Sequence, residues 1–135
     1  MASLALSEPS TIDRRRWAGG ILSGLAVAFL LFDAGLKLAA VQPVTDAMAQ
    51  LGWPADAATA RALGALLLAL TSLYAFPRTA PIGAVLLTGY LGGAVATHAR
   101  IGSPLWSHTL FGVYVGALLW VGLALRDARV RELVR

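Results

Sequence analysis

Four long runs of this chain carry almost no charge, and that feature leaves few folds open. They cover about residues 17–38, 58–76, 82–98 and 105–125. Each is close to the roughly 20 residues a helix needs to cross about 30 Å of hydrocarbon. Lipid offers no partner to a bare backbone N–H or C=O, so spanning runs of this length are helices. The composition agrees: 58% of residues are hydrophobic and only 13% charged, against roughly 25% charged in a soluble domain. The expected fold is all-α, an integral membrane four-helix bundle running up-down-up-down.

The connections support this division. Pro77-Arg78-Thr79-Ala80-Pro81 and Arg100-Ile101-Gly102-Ser103-Pro104 are short turns punctuated by proline. Pro81 suits the first turn of the third helix, where its missing N–H costs nothing. The first connection is longer. Within it Val44, Met48 and Leu51 recur at helical spacing, which predicts a short amphipathic helix at the membrane surface, closed by Gly52-Trp53-Pro54. Trp17, Trp53, Trp106 and Trp120 fall near expected span ends, as interfacial aromatics do. Residues 1–13 are polar and read as a flexible cytoplasmic tail, leaving 14–135 as the four-helix domain. The apolar run after Arg14, Arg15 and Arg16 exceeds an ordinary signal core of about 7–15 residues and runs on into Asp33 and Lys37. It reads as a retained helix.

Orientation follows from the cations. Of the 11 Lys and Arg residues, Arg14, Arg15, Arg16, Arg78, Arg126, Arg129, Arg131 and Arg135 fall on one side, and only Lys37, Arg61 and Arg100 on the other. The first side is expected to be cytoplasmic, with both termini there, in a multi-pass protein of the plasma (inner) membrane. The net charge of +4 is then matched to lipid headgroups. No basic stripe interleaved with aromatics points to nucleic acid. The chain has no cysteine, which excludes disulfides, thiolate nucleophiles and cysteine-bound iron–sulfur clusters.

Small residues recur at i, i+4 in three spans: Gly20 and Gly24, Gly89 and Gly93, Gly112 and Gly116. Such pairs let helix backbones approach closely. The expectation is packing within the bundle, with a dimer face as the alternative for one of them.

The residues with chemical potential are the polar ones within or at the rim of the spans. Asp33 and Lys37 share a face of the first helix, and Ser23, Ala26 and Leu30 continue it. Arg61 opens the second helix. Tyr90, Thr97 and His98 share a face of the third, and His108 lies near the start of the fourth. In the alternating topology Asp33, Lys37, Arg61, His98 and His108 all fall toward the outer ends, with Tyr90 beneath them. Charges at that depth cost roughly 2.5 kcal/mol or more unless paired or wetted, so they favour a polar pocket. Each also has a plain structural reading. Asp33 and Lys37 neutralise each other, Arg61 snorkels, the histidines bond to backbone, and Tyr90 packs. Their convergence is what favours a ligand site.

Asp33, His98 and His108 are the one candidate metal set, but no close His-His or Glu-His motif supports it, and Lys37 and Arg61 would repel a cation. There is no phosphate loop and no dinucleotide fingerprint.

Several stretches resemble the DoxX-like family of small four-helix membrane proteins. They are Phe32-Asp33-Ala34-Gly35-Leu36-Lys37-Leu38, Leu51-Gly52-Trp53-Pro54, Gly89 through His98 with Arg100, and the His108 helix ending in Leu125-Arg126-Asp127. The resemblance spans about residues 20–126. It implies membrane subunits that pass electrons to quinone, components of oxidative-stress complexes, or, among distant relatives, cargo receptors and assembly factors. It supplies no catalytic residues.

Three readings remain open at this point. One is a membrane protein whose outward-facing pocket of Asp33, Lys37, Arg61, Tyr90, His98 and His108 binds a small amphipathic or quinone-like molecule, as a subunit associated with an oxidoreductase. The second is an assembly or interaction factor without catalysis, with a membrane partner or a second copy of itself. The third is a stand-alone isomerase or cyclase working by acid–base chemistry on a lipophilic substrate.

Overall fold

The computed structural model describes residues 10–135; the first nine residues of the expected tail lie outside the described residues. Helix α1 (Thr11–Ala39) begins ahead of the apolar run because Ser10 caps it. The Ser10 Oγ accepts the Asp13 N–H at 3.2 Å and donates to the Asp13 carboxylate at 2.7 Å. Arg14, Arg15 and Arg16 therefore lie on the helix, in its first turns. Helix α2 (Gln42–Gln50) is the short amphipathic helix expected from Val44 and Met48, and Met48 is buried. Asp56 caps α3 (Ala57–Ala75). Two hydrogen bonds from Thr59, above all from its backbone N–H, hold the Asp56 carboxyl below the usual carboxylate range. Helix α4 (Ala80–Arg100) has Pro81 in its first turn. A π-helical turn (Leu105–Thr109) leads into α5 (Phe111–Arg126), and α6 (Ala128–Glu132) follows, capped by Asp127. Gly52 (φ +76°) and Gly102 (φ +68°) occupy the left-handed region just after α2 and α4, where a side chain is strained and glycine is not.

The four long helices form a ring in which α1 and α4 each pack against both α3 and α5. Neighbours meet opposite end to opposite end. Gly64, early in α3, faces Ala34 and Lys37, late in α1. Gly19, early in α1, faces Gly122, late in α5. Gly112, early in α5, faces Leu91 and Val95 on α4. Leu30, Leu67, Tyr74, Leu87 and Leu119 fill the centre and are shielded from solvent.

The glycines that permit this approach differ from those expected. A Cβ on Gly19 would lie 2.7 Å from the Gly122 carbonyl oxygen, and one on Gly64 2.9 Å from the Ala34 carbonyl oxygen. One on Gly83 would strike the Tyr74 backbone. Gly20, Gly24, Gly89 and Gly93 instead face open space, and Gly116 meets only the tip of Leu91 at 3.9 Å. Of the expected set, Gly112 alone makes a close approach to backbone, 3.0 Å from the Leu91 carbonyl oxygen. Spacing shows that two glycines share a face; it does not show which face turns inward. Trp120 bridges two helices, its indole N–H donating to the Thr88 hydroxyl at 2.8 Å.

The outside of the ring is apolar. Trp17, Ile21, Leu25, Phe32, Ile82 and Val85 are each more than half exposed. Only 22–28% of the most apolar window of each long helix is buried. An apolar mantle of this extent is compatible with lipid and not with water. The chain is a multi-pass membrane helical bundle.

Candidate functional site

The end of the bundle where α1 and α4 finish carries the polar residues singled out by the sequence. On α1 the Lys37 ammonium pairs with the Asp33 carboxylate at 2.5 Å, one helical turn apart. Both side chains are half-buried, at 19% and 32% exposure. Lys37 is held from the other side by α3, because Gly64 lets that backbone approach its Cβ. Arg61, one turn before Gly64, is exposed and donates its Nε–H to the Leu38 carbonyl oxygen at 3.2 Å. That bond satisfies one of the open carbonyls in the last turn of α1. Its terminal nitrogens have no partner among the described residues.

The two histidines face each other across the α4–α5 connection. Their ring centroids are 5.9 Å apart, with the planes inclined at 58°. His98 is half-buried near the end of α4, and its Nδ1 meets the Ser103 hydroxyl at 3.0 Å. His108 is exposed on the π-helical turn, and its Nδ1 meets the Ser107 hydroxyl at 2.7 Å. In both rings Nε2 has no partner among the described residues. The turn widens the helix: the N–H groups of His108 and Thr109 both reach the Pro104 carbonyl oxygen at 3.1 Å. Such single-turn widenings recur at functional sites. Nothing in the spacing of this segment signals a π turn.

Tyr90 lies just over two turns before His98, about 12 Å along the axis. It is half-buried against the core and within electrostatic range of Asp33. The expected residues thus fall into two groups at one end. Asp33, Lys37 and Arg61 are held together by α1 and α3, and His98 and His108 by α4 and the π turn. Tyr90 sits deeper. Among the described residues no hydrogen bond or ion pair joins the two groups. An edge-to-face contact between Phe29 and Phe111, centroids 5.3 Å apart, links α1 to α5 one turn below Asp33. Arg100 lies outside the expected set and closes this end, donating to the Leu51 carbonyl oxygen at 2.6 Å beneath Gly52. Among the described residues no three side chains of the metal-binding types converge.

A second polar cluster, in the other half of the bundle, was not expected from the sequence. The fully buried Tyr74 donates to the Leu119 carbonyl oxygen at 2.7 Å and meets the Ser23 hydroxyl at 2.9 Å. It thereby ties α3 to α5 and α1. Arg126 lies over the Tyr74 ring, 5.1 Å from its centroid, and donates to the Tyr74 carbonyl oxygen at 3.2 Å. The Thr71 hydroxyl, one turn earlier on the same face, is buried without a partner among the described residues. The signal available in the sequence was that a tyrosine inside a span must place its hydroxyl somewhere.

The model of the DoxX-like family matches residues 21–122, well over half of the chain. The chain belongs to that family. No curated protein and no solved structure matches it.

Proposed function

We propose that this DoxX-like protein binds the head of a small amphipathic or quinone-like molecule at the end carrying Asp33, Lys37, Arg61, Tyr90, His98 and His108. The observation that carries the reading is the histidine pair, 5.9 Å apart with both Nε2 atoms unspent. Imidazole takes up and releases protons near neutral pH more readily than any other side chain. Reducing a quinone to a quinol takes two electrons and two protons. The electrons would come from a redox partner subunit. This chain would hold the head through Arg61 and Lys37, and exchange protons through exposed His108 and half-buried His98. With the arginine-rich end in the cytoplasm of a plasma membrane, this site opens outward.

The test is titration of the purified protein with a short-tailed benzoquinone, read by tryptophan fluorescence. Trp106 reports locally, since it lies on the same π-helical turn as His108. Saturable quenching that weakens about tenfold in the His98→Ala, His108→Ala double variant, the equivalent of ~1.4 kcal/mol, supports the reading. Quenching that is linear, or equal in both proteins, overturns it.

A second reading is an assembly or interaction factor without chemistry. It is favoured by the partners that Asp33, Lys37 and Arg61 already have inside the chain. Tolerance of alanine at Asp33, His98 and His108 would support it, and loss of function in variants that still fold would count against it.

A further inference from the structure

The arginine-rich end of the bundle has a cleft system of its own. One cleft, of about 380 Å³, lies among Arg16, Pro77, Arg126, Asp127 and Arg129. A second, of about 420 Å³, lies among Arg16, Trp17, Gly20 and Ile21. A third, smaller one reaches Arg15 and Arg131. Arg16 lines all three.

The arginines here divide into two kinds. Arg126, Arg129 and Arg131 are engaged with backbone of helices and of the turn after α3. They donate to the carbonyl oxygens of Tyr74 at 3.2 Å, Pro77 at 3.1 Å and Ala124 at 2.7 Å. Arg15 and Arg16 have no partner among the described residues. The carboxylate in the cleft system is Asp127, and Arg129 already grips it with contacts of 3.2 and 2.8 Å. The cleft around Arg16 is therefore strongly positive, with unspent donors.

The cleft at Trp17 has a different character. Beyond Arg16 it is apolar, and it runs onto the outer face of α1. Gly20 and Gly24 leave that face open, with nothing within 4 Å of where a Cβ would stand. Trp17, Ile21 and Leu25 are 75%, 57% and 61% exposed beside it. A cationic mouth continuous with an apolar groove on the lipid-facing side fits a ligand that is itself anionic at one end and hydrocarbon at the other.

We propose that the Arg15–Arg16 cleft and the Gly20–Gly24 groove of α1 form a site for an anionic phospholipid, phosphate at the arginines and acyl chain along the glycines. Arg16 binds the phosphodiester and Arg15 supports it. The fixed charges of Arg126 and Arg129 raise the local potential without leaving their carbonyl partners. Trp17 sits at headgroup depth, where its amphipathic ring is favoured. A free phosphate would use only the mouth of this site.

The experiment is native mass spectrometry of the full chain released from detergent with phosphatidylglycerol or phosphatidylcholine of identical acyl chains. Glycerol 1-phosphate serves as the competitor without a tail. Phosphatidylglycerol should be retained in preference, and each of Arg15→Gln and Arg16→Gln should weaken retention roughly fivefold. Gly20→Leu with Gly24→Leu should weaken it with the arginines intact, and these positions have room for the larger side chain. Equal retention of the two lipids, or retention unchanged in the Arg15→Gln, Arg16→Gln double variant, overturns the proposal. Full competition by glycerol 1-phosphate would assign the site to small anions instead and overturn the lipid. A dimer that dissociates in the Gly20→Leu, Gly24→Leu variant would give the groove to a second copy and overturn it as well.

Discussion

Replacing Tyr74 by phenylalanine removes one oxygen from the centre of the bundle and should loosen three helices at once. The hydroxyl donates to the Leu119 carbonyl oxygen at 2.7 Å and shares a hydrogen bond with Ser23 at 2.9 Å. The residue is fully buried, so water cannot substitute. Interhelical hydrogen bonds in membrane proteins average about 0.6 kcal/mol and reach about 1.7. Losing two of them predicts a cost of about 1–2 kcal/mol. Ser23→Ala loses only the shared bond and should cost about 0.6 kcal/mol. Once Tyr74 is phenylalanine that bond is already gone. The double variant should then be no less stable than Tyr74→Phe, falling short of the additive sum by about 0.6 kcal/mol. Unfolding of the purified protein by added SDS, followed by circular dichroism, measures all three differences. Strict additivity would mean that Ser23 and Tyr74 contribute independently, and the account of a shared bond would be refuted.

Three further outcomes follow from single groups. Thr71→Val should be neutral or stabilising by about 1 kcal/mol, because it replaces a buried hydroxyl lacking a partner with a methyl of the same shape; a clear loss of stability in the same assay would show that the hydroxyl has a partner after all. Asp33→Asn or Lys37→Met alone should cost of the order of 1–2 kcal/mol, and the double change less than either, since each single change strands a half-buried charge; thermal midpoints in detergent that simply add would exclude coupling. Asp56, whose carboxyl is held below its ordinary value of 3.8, stabilises α3 fully above that value and loses the contribution as pH falls through the lowered one. The difference in thermal midpoint between the natural chain and Asp56→Asn should therefore be constant near neutral pH and vanish in acid; a difference that persists at the lowest pH would show that charge is not its source.

Much of this fold is legible in the residues, because a bilayer imposes a rule that sequence reports directly. A segment that must satisfy its own backbone and face lipid shows as an uncharged run. The spans expected at 58–76, 82–98 and 105–125 correspond to Ala57–Ala75, Ala80–Arg100 and Leu105–Arg126. The early start of α1 is a capping effect. Ser10 and Asp13 extend the helix into charged residues, which hydropathy treats as its boundary. Helix rotation is less legible. Lipid-facing and core-facing positions are equally apolar, so periodicity carries little information about which face turns in. That is why Gly20 and Gly24 could be read as packing residues when Gly19 and Gly122 make the contact. The π turn is hidden too, since the shared Pro104 carbonyl oxygen that marks it leaves no trace in residue spacing.

The two ends of the bundle differ in how their polar groups are used, and the difference bears on where chemistry belongs. At the end where α1 begins and α5 finishes, Arg126, Arg129 and Arg131 are bonded to carbonyl oxygens of helices and of the turn after α3. Arginine suits this task because its charge is permanent and its fork of donors reaches several oxygens at once. It has no proton to exchange at neutral pH, so this end can fasten helices and hold an anion but cannot relay protons. At the opposite end Arg61 and Arg100 fasten carbonyl oxygens in the same way, but groups of other kinds stand beside them. Among the described residues two imidazoles each keep a nitrogen free, and a carboxylate and an ammonium face each other on one helix. An imidazole can change protonation state, and in the site proposed above a ligand would compete for the partners of the half-buried Asp33–Lys37 pair. Replacing His98 and His108 should therefore alter the pH dependence of ligand binding more than stability. Replacing Arg126 should do the reverse, because it would leave the Tyr74 carbonyl oxygen and the ring beneath without their cation.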